Sequence, residues 1–150
     1  MKKLYITAVF LLFIAVGAMA QKVNSGNFEY AEGVEFSVLR FNNSKMSEDN
    51  NTAYFAKGGL LYKTAIIEIN NSTKSDVEID FEKFHLLDSK NTRYDVHTVV
   101  QNMKLTFSTY KYKMTLKAGK TKKYMVEFWP PYPQSEQVKQ IVVNEDIFRL

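Results

Sequence analysis

Residues 60–81 alternate between apolar and polar side chains, and this pattern constrains the fold more than any other part of the chain. The second half is strict, because Val77, Ile79 and Phe81 alternate with acidic residues. A period of two places successive side chains on opposite faces of a β-strand. Polar, turn-forming residues at 70–75 separate the two halves. The stretch therefore predicts two strands joined by a turn, and such strands need further strands to be stable in water.

Lys63 interrupts the apolar face of the first of these strands, which otherwise carries Leu61, Ala65, Ile67 and Ile69. A lysine side chain can bury its methylene groups along an apolar surface and keep its ammonium group in water. Because Lys63 lies near the start of the strand, we expect its ammonium group to reach solvent.

Most of the remaining chain carries similar signals of short strands. Apolar segments that alternate or end at polar turns predict strands at residues 28–41, 53–56, 84–87, 94–96, 110–116, 124–128, 138–143 and 145–150. The polar composition of residues 42–52 predicts a loop. Pro130, Pro131 and Pro133 are expected to end the strand before them, because proline cannot donate a backbone hydrogen bond. The pattern predicts an all-β fold, an antiparallel β-sandwich of about seven to nine strands within residues 28–150.

The first twenty residues have the pattern of a secretion signal. Two lysines follow the first methionine, an apolar run occupies 4–16, and small residues at 18–20 form a cleavage site. A membrane anchor is the alternative, but the apolar run is shorter than the ~20 residues of a spanning helix. We therefore expect cleavage after Ala20, no membrane span afterwards, and a secreted or periplasmic protein that begins with a flexible leader at 21–27.

Charge and cysteine content exclude several classes of protein. The full chain has a formal net charge of +4, but the loss of Lys2 and Lys3 with the signal leaves 18 basic and 16 acidic residues. A balance this close to neutral gives no reason to expect a nucleic-acid partner. The chain contains no cysteine. This excludes a lipid-anchored bacterial lipoprotein and fits an exported bacterial protein whose core is large enough without disulfides.

The order of several short motifs resembles a known family. In chain order they are IIEINNS at 66–72, VEI at 77–79, FHLLDS at 84–89 with Tyr94 after the turn, LKAGK at 116–120, and VEF at 126–128 with Pro130 beyond. Together they resemble the secreted immunoglobulin-like domains of unknown function of bacteria, many of them lipoproteins, over residues 60–143. The resemblance implies an exported, immunoglobulin-like antiparallel β-sandwich and no catalytic residues. Two features depart from it: the lipoprotein cysteine is absent, and Lys90-Asn91 replaces the usual turn glycine, although asparagine tolerates the same left-handed conformation.

Trp129 and Tyr132 belong to the most distinctive local sequence, FWPPYP at 128–133. The strand period places Phe128 inward and Trp129 outward. An exposed tryptophan, with Tyr132 on a loop stiffened by prolines, would stack on a sugar or anchor a protein partner. The alternative is that Trp129 caps the end of the core.

A basic strip is formed by Lys111, Lys113 and Lys117 on one predicted strand. Such a strip would attract polyanions or acidic glycans. The alternative is a charged, solvated strand that discourages pairing with other sheets.

The remaining side chains give little sign of catalysis or metal binding. His85 and His97 are expected on neighbouring strands but not opposite each other, and two imidazoles without a third ligand make a poor metal site. No nucleophile, metalloprotease or phosphate-binding motif is present. We predict a non-enzymatic protein without cofactor or metal, which binds a protein or glycan partner in the cell envelope or serves as an accessory module there. The alternatives are a glycan- or polyanion-binding module that uses the basic strip, and a small hydrolase or metal-binding protein.

Overall fold

The computed structural model describes residues 20–23, 25–49, 52–101 and 112–150, and the described chain is almost entirely β-strand. The predicted antiparallel β-sandwich is confirmed. The predicted signal peptide, apart from Ala20, lies outside the described residues. Within the described residues, no helix has the length and apolar character needed to cross a bilayer.

Thirteen strands and one short 3-10 helix are found in the described part of the chain. The strands are β1 (Gln21–Lys22), β2 (Phe28–Ala31), β3 (Val34–Ser44), β4 (Met46–Asp49), β5 (Thr52–Phe55), β6 (Leu60–Asn71), β7 (Val77–Asp80), β8 (Phe84–Leu87), β9 (Arg93–Gln101), β10 (Lys113–Leu116), β11 (Thr121–Pro133), β12 (Gln140–Val143) and β13 (Asp146–Arg149), and the helix is Phe81–Lys83.

Nine strands form one large antiparallel sheet with the order β1-β3-β6-β11-β9-β8-β12-β13, and β2 pairs with the free part of β3. Strands β7 and β10 form a separate two-stranded sheet, and so do β4 and β5. The long strands β3, β6 and β11 lie side by side, so that Val38, Ile67 and Tyr124 are cross-strand neighbours. All three side chains are buried in the core.

The large sheet curves until its first and last strands meet across the core. The ring of Phe148 on β13 lies 4.9 Å from that of Phe28 on β2 and 5.2 Å from that of Phe36 on β3. The side-chain amide of Gln21 donates to the carbonyl of Val138 at 2.9 Å and accepts from its N–H at 3.1 Å. Ile79 and Leu116, from the β7–β10 sheet, are fully buried against this core.

The two predicted strands around residues 60–81 are β6 and β7. Ala65, Ile67 and Ile69 of β6 and Ile79 of β7 are fully buried, as the alternating pattern predicted. The strands belong to different sheets, since β6 lies in the large sheet and β7 pairs with β10. The polar turn between them therefore crosses from one layer of the sandwich to the other.

The ammonium group of Lys63 does not reach solvent, contrary to the sequence prediction. Lys63 is only 3% exposed. Its Nζ donates to Asn43 Oδ1 on β3 at 2.9 Å and lies 5.4 Å from the ring centroid of Tyr132 on β11. The prediction was wrong because it treated β6 as a lone strand, whereas the strands on both sides cover the lysine. Burial lowers the pKa of the Lys63 ammonium group.

The first part of the domain is more finely divided than predicted. Residues 28–41, predicted as one strand, form β2 and most of β3 with a turn at Gly33, whose φ is +71°. A Cβ at Gly33 would lie 2.8 Å from Thr73 Cγ2, so this turn requires glycine. The segment predicted as a flexible leader contains β1, which pairs with β3, and Val23 is buried. Residues 21–23 therefore belong to the sandwich.

The prolines do not end the strand that contains Phe128. Strand β11 continues to Pro133, which pairs with Leu60 of β6. The register against β6 shifts between Phe128 and Tyr132, and pairing with β9 ends at Trp129. The prediction failed because Pro130 and Pro131 lie where the register shift interrupts the ladder, and Pro133 is the last residue of the strand.

Replacing Tyr124 with phenylalanine should raise the free energy of unfolding by about 1 kcal/mol, because its buried hydroxyl has no hydrogen-bond partner among the described residues. Burial raises the pKa of Tyr124 from 10.0 to about 12. The folded state therefore favours the protonated phenol, and stability is lost as the pH rises through the interval from 10 to 12. The advantage of Y124F should widen in that interval. Urea denaturation at neutral and alkaline pH measures both effects.

Tyr94→Phe is the matched control, because the hydroxyl of Tyr94 donates to Asp88 Oδ2 at 3.0 Å. Its removal should destabilise the protein by about 1 kcal/mol at neutral pH. A Y124F protein that is as unstable as Y94F would show that the hydroxyl of Tyr124 is satisfied in solution.

Candidate binding surface

Strands β4 and β5 form a hairpin that is separate from the large sheet and has two different faces. Met46 pairs with Phe55, and Ser47 pairs with Tyr54. Residues directly opposite each other in an antiparallel pair share a face, and the next pair lies on the other face. Met46 and Phe55 are therefore on one side of the hairpin, and Ser47 and Tyr54 are on the other.

The face with Ser47 is fastened to the large sheet by a polar clasp of Ser47, Glu127 and Trp129. The buried hydroxyl of Ser47 donates to the carboxylate of Glu127. The indole Nε1 of Trp129 lies 3.1 Å from both Ser47 Oγ and Glu127 Oε1 and donates to them. Because Glu127 and Trp129 are both on β11, the clasp joins the hairpin to the middle of the sheet.

Aromatic rings surround Trp129 beside the clasp. The ring centroid of His97 lies 4.2 Å from that of Trp129 in a stacked arrangement, Tyr54 lies at 5.0 Å edge-on, and Tyr62 lies at 5.3 Å. Burial, and then the carboxylate of Glu127, raise the pKa of Tyr62. Trp129 is half-buried, and its ring is engaged by the protein itself. Its position on the outward side of β11 agrees with the strand period, and its role in this structure is to hold the hairpin.

The opposite face of the hairpin is exposed and carries Met46 and Phe55, with Glu48 and Ala53 as the next pair on the same face. Phe55 is 72% exposed and Met46 47%, whereas Tyr54, on the fastened face, is 39% exposed. Within the described residues, the other strongly exposed large apolar side chain is Ile147, on β13. Single exposed apolar residues are ordinary, but a contiguous group indicates an interaction site. We call Met46 and Phe55 the hairpin patch.

Tyr132 does not join Trp129 in an exposed loop. Its ring is buried in the core cluster, and its hydroxyl donates to the carbonyl of Leu87 at 3.4 Å. The expectation of exposure failed for the same reason as the expected strand end, since Tyr132 lies on β11 after the register shift. Sequence reasoning also missed the hairpin patch, because the polar composition of 42–52 hid the strand that carries Met46.

The basic strip lies beside carboxylates. Lys113 Nζ is 3.6 Å from Asp80 Oδ2, and Lys117 Nζ is 2.7 Å from Asp76 Oδ2. The hydrogen bond from Lys117 is the main cause of the lowered pKa of Asp76. Lys111 lies outside the described residues. The two described lysines thus face neighbouring acids of the β7–β10 sheet and its connections, which reduces the field that would attract a polyanion.

The two histidines lie on neighbouring strands, as expected, and are not opposite each other. His85 pairs with Asp95, whereas His97 stacks on Trp129. Burial lowers the pKa of His85, and the charge of Arg93 adds to this effect. Among the residues that the structure describes, no group of three or more histidine, cysteine or acidic side chains is arranged to hold a metal ion.

Comparisons with known proteins support the fold class. No protein-family model matches the sequence, and no curated protein matches it. Several solved structures match it by their fold. An uncharacterized β-sandwich protein from Clostridium difficile 630 has a TM-score of 0.52 at 16% identity, over 81% of this chain and 84% of that one. A conserved hypothetical protein from Bacillus anthracis has a TM-score of 0.54 at 16% identity, over 85% of this chain and 92% of that one. A functionally unknown protein from Listeria monocytogenes EGD-e has a TM-score of 0.53 at 14% identity, over 81% of this chain and 70% of that one.

These likenesses concern the fold alone. The chain is a β-sandwich of the kind found in bacterial proteins whose function is uncharacterized, which agrees with the resemblance noted from its motifs at the level of the fold.

Proposed function

We propose that this protein is an exported, non-enzymatic β-sandwich module of the cell envelope that binds a protein partner through the hairpin patch. The observation that carries the proposal is the pairing of Met46 with Phe55 on the exposed face of a hairpin whose other face is fastened to the sheet. Methionine and aromatic side chains are enriched in protein–protein interfaces. The sequence of residues 1–20 supports export.

The clasp preorganises the hairpin patch for binding. A free two-stranded hairpin is at best marginally stable in water. Here the bonds among Ser47, Glu127 and Trp129 hold one face, so the orientation of Phe55 is set before a partner arrives. A surface that is ordered in advance loses less conformational entropy on binding.

The arrangement of the rings favours a protein partner over a sugar at this surface. Sugar binding by stacking needs a free aromatic face, whereas Trp129 is stacked by His97 and contacted by Tyr54 and Tyr62. The side chains that remain free, Met46 and Phe55, offer mainly apolar contact, with Glu48 as a polar neighbour on the same face. Binding of a polyanion by the strip at Lys111, Lys113 and Lys117 stays a prediction.

Replacing Met46 and Phe55 together with alanine should weaken partner binding at least tenfold, because buried aromatic anchors each contribute more than about 1 kcal/mol at interfaces. The mature protein would be immobilised and exposed to envelope extract of its own organism. The captured protein would be identified by mass spectrometry, purified, and titrated calorimetrically against the wild type and the variant.

Ile147→Ala is the matched control, since Ile147 is 59% exposed on β13, outside the hairpin. It should bind the partner with unchanged affinity. A partner that binds M46A/F55A as tightly as the wild type would remove the hairpin patch as the site. Equal losses in both variants would indicate general apolar adhesion instead of a defined surface.

A further inference from the structure

A cavity of about 480 Å³ lies between the turn that joins β8 to β9 and the segment that joins β11 to β12. The turn contributes Ser89 and Asn91, and the segment contributes Ser135 and Gln137. The buried side chain of Tyr132 also lines it. None of its lining residues belongs to the hairpin patch. We call it the loop cavity, and its volume is within the range of small-molecule sites.

The turn on one side of the loop cavity is held by its own side chains. Asp88 Oδ1 accepts hydrogen bonds from the N–H groups of Lys90 and Thr92, both at 2.8 Å, and Oδ2 accepts from the hydroxyl of Tyr94 at 3.0 Å. Asn91 takes the left-handed conformation, with φ of +62°, that the usual turn glycine of similar domains would take. Although burial acts to raise the pKa of Asp88, the hydrogen bonds from Thr92 and Lys90 lower it, so the carboxylate is ionised at neutral pH.

The segment on the other side is tied to this turn. Glu136 Oε2 accepts a hydrogen bond from the N–H of Ser89 at 3.0 Å, and both residues line the loop cavity. The segment is also held at both ends, because Gln134 donates its N–H to the carbonyl of Gly59 at 2.8 Å and Val138 is bound by the side chain of Gln21. The two walls therefore have fixed positions without a ligand, as in most small-molecule sites.

The lining also includes the exposed cation Lys139 and Glu136, whose Oε2 is engaged by Ser89, and the other groups left over on the walls are neutral and polar. The side chains of Asn91, Ser135, Gln137 and Gln140 line the loop cavity and make no hydrogen bond to another described residue. An amide both donates and accepts hydrogen bonds, as does a hydroxyl. The carboxylate of Asp88 is already occupied by the turn. The walls thus offer several neutral donors and acceptors around a preformed space.

We infer that the loop cavity binds a neutral, hydroxyl-rich ligand, one or two saccharide units of an uncharged glycan. Amide and hydroxyl side chains match the paired donor and acceptor character of sugar hydroxyls and acetamido groups. A metal ion would need several carboxylate oxygens, whereas both oxygens of Asp88 are engaged by the turn, Oε2 of Glu136 is engaged by Ser89, and Lys139 adds a positive charge to the lining. An apolar ligand would leave the amide groups of Gln137 and Gln140 unpaired. This inference is independent of partner binding at the hairpin patch.

Titration of ¹⁵N-labelled mature protein with N,N′-diacetylchitobiose, cellobiose and maltose tests the inference by NMR. At least one of the three should shift the backbone amide signals of residues 88–91 and 134–140, with a dissociation constant on the order of 1 mM, as expected for a small ligand with few contacts. The double variant Q137A/Q140A should bind that disaccharide at least tenfold more weakly. Gln137 is exposed on the segment and Gln140 is the half-buried first residue of β12, and the unchanged remainder of the spectrum verifies the fold.

The variant M46A/F55A is the control for the other site and should bind the disaccharide as the wild type does. If none of the three sugars shifts the signals of these two segments, or if Q137A/Q140A binds with unchanged affinity, the inference is overturned. Loss of sugar binding in M46A/F55A alone would also overturn it and would place the sugar at the hairpin patch.

Discussion

Replacing Asn71 with leucine should lower the free energy of unfolding by about 3–4 kcal/mol. The side chain is fully buried, and its Nδ2 lies 2.9 Å from the carbonyl oxygen of Ser75, 3.2 Å from that of Leu116 and 3.3 Å from that of Lys117. Its Oδ1 accepts from the N–H of Thr73 at 3.0 Å and from the Thr73 hydroxyl at 2.7 Å. Leucine has a similar size but leaves these groups without their partner, and each buried unpaired group costs about 1–3 kcal/mol.

The expected effect is large because Asn71 joins the two layers of the sandwich. It is the last residue of β6 in the large sheet, while Leu116 ends β10 in the small sheet. Urea denaturation measures the loss. Asn70→Ala is the matched control, since Asn70 is exposed and bonded by one hydroxyl, that of Thr121, at 2.9 Å. That change should cost less than about 1 kcal/mol. Similar losses in both variants would contradict the role assigned to Asn71.

Replacing Lys63 with methionine should raise the free energy of unfolding at neutral pH by about 2 kcal/mol, because exchanging a buried charge for an apolar side chain of similar length often stabilises a protein. No carboxylate pairs with the ammonium group of Lys63 within the described residues, where Asn43 and the ring of Tyr132 are its contacts. Methionine adapts well to irregular space in a core.

The effect of K63M should depend on pH in a defined direction. Burial lowers the pKa of Lys63 in the folded state below its ordinary value of 10.5. The charged form therefore destabilises the folded protein at neutral pH, and this cost disappears as the pH rises to 10.5. The advantage of K63M should shrink over the same interval, while titrating tyrosines affect both proteins alike. Denaturation curves at several pH values measure this.

Lys22→Met serves as the control for Lys63, because Lys22 is exposed on β1. Its replacement should change the free energy of unfolding by less than about 0.5 kcal/mol at any pH. A K63M protein that is less stable than the wild type at neutral pH would show that the ammonium group makes a net favourable contribution in the core.

The alternation of apolar and polar residues was sufficient to predict which side chains are buried in strands that pack one face on the core. The alternation in β7 and β6 predicted the buried positions of Ile79, Ala65 and Ile67, because one face of each strand packs on the core. The turn that contains Asn71 was also predicted from its polar residues. The sequence did not predict that this turn connects the two layers, because the connection depends on Leu116 and Lys117, which are far away in sequence.

The failures have a common physical cause, since each depends on a neighbour that the local pattern does not contain. Lys63 is covered by strands on both sides, and Tyr132 is buried because β11 continues past its prolines through a register shift. Met46 lies in a polar segment whose strand exists because it pairs with Phe55 and is fastened to Trp129 through Ser47. The sandwich was thus predictable from periodicity, whereas the hairpin patch required knowledge of pairing.

Trp129 is the only tryptophan in the chain, and its place in the clasp gives the protein a built-in optical reporter. Its fluorescence reports on the seam between the hairpin and the sheet, whereas the nine tyrosines are spread along the sequence. Movement of the hairpin would alter the tryptophan emission without global unfolding, and the two processes can be separated by comparing fluorescence with far-ultraviolet circular dichroism. A partner that displaces the hairpin when it binds Phe55 would therefore be detectable without any attached dye.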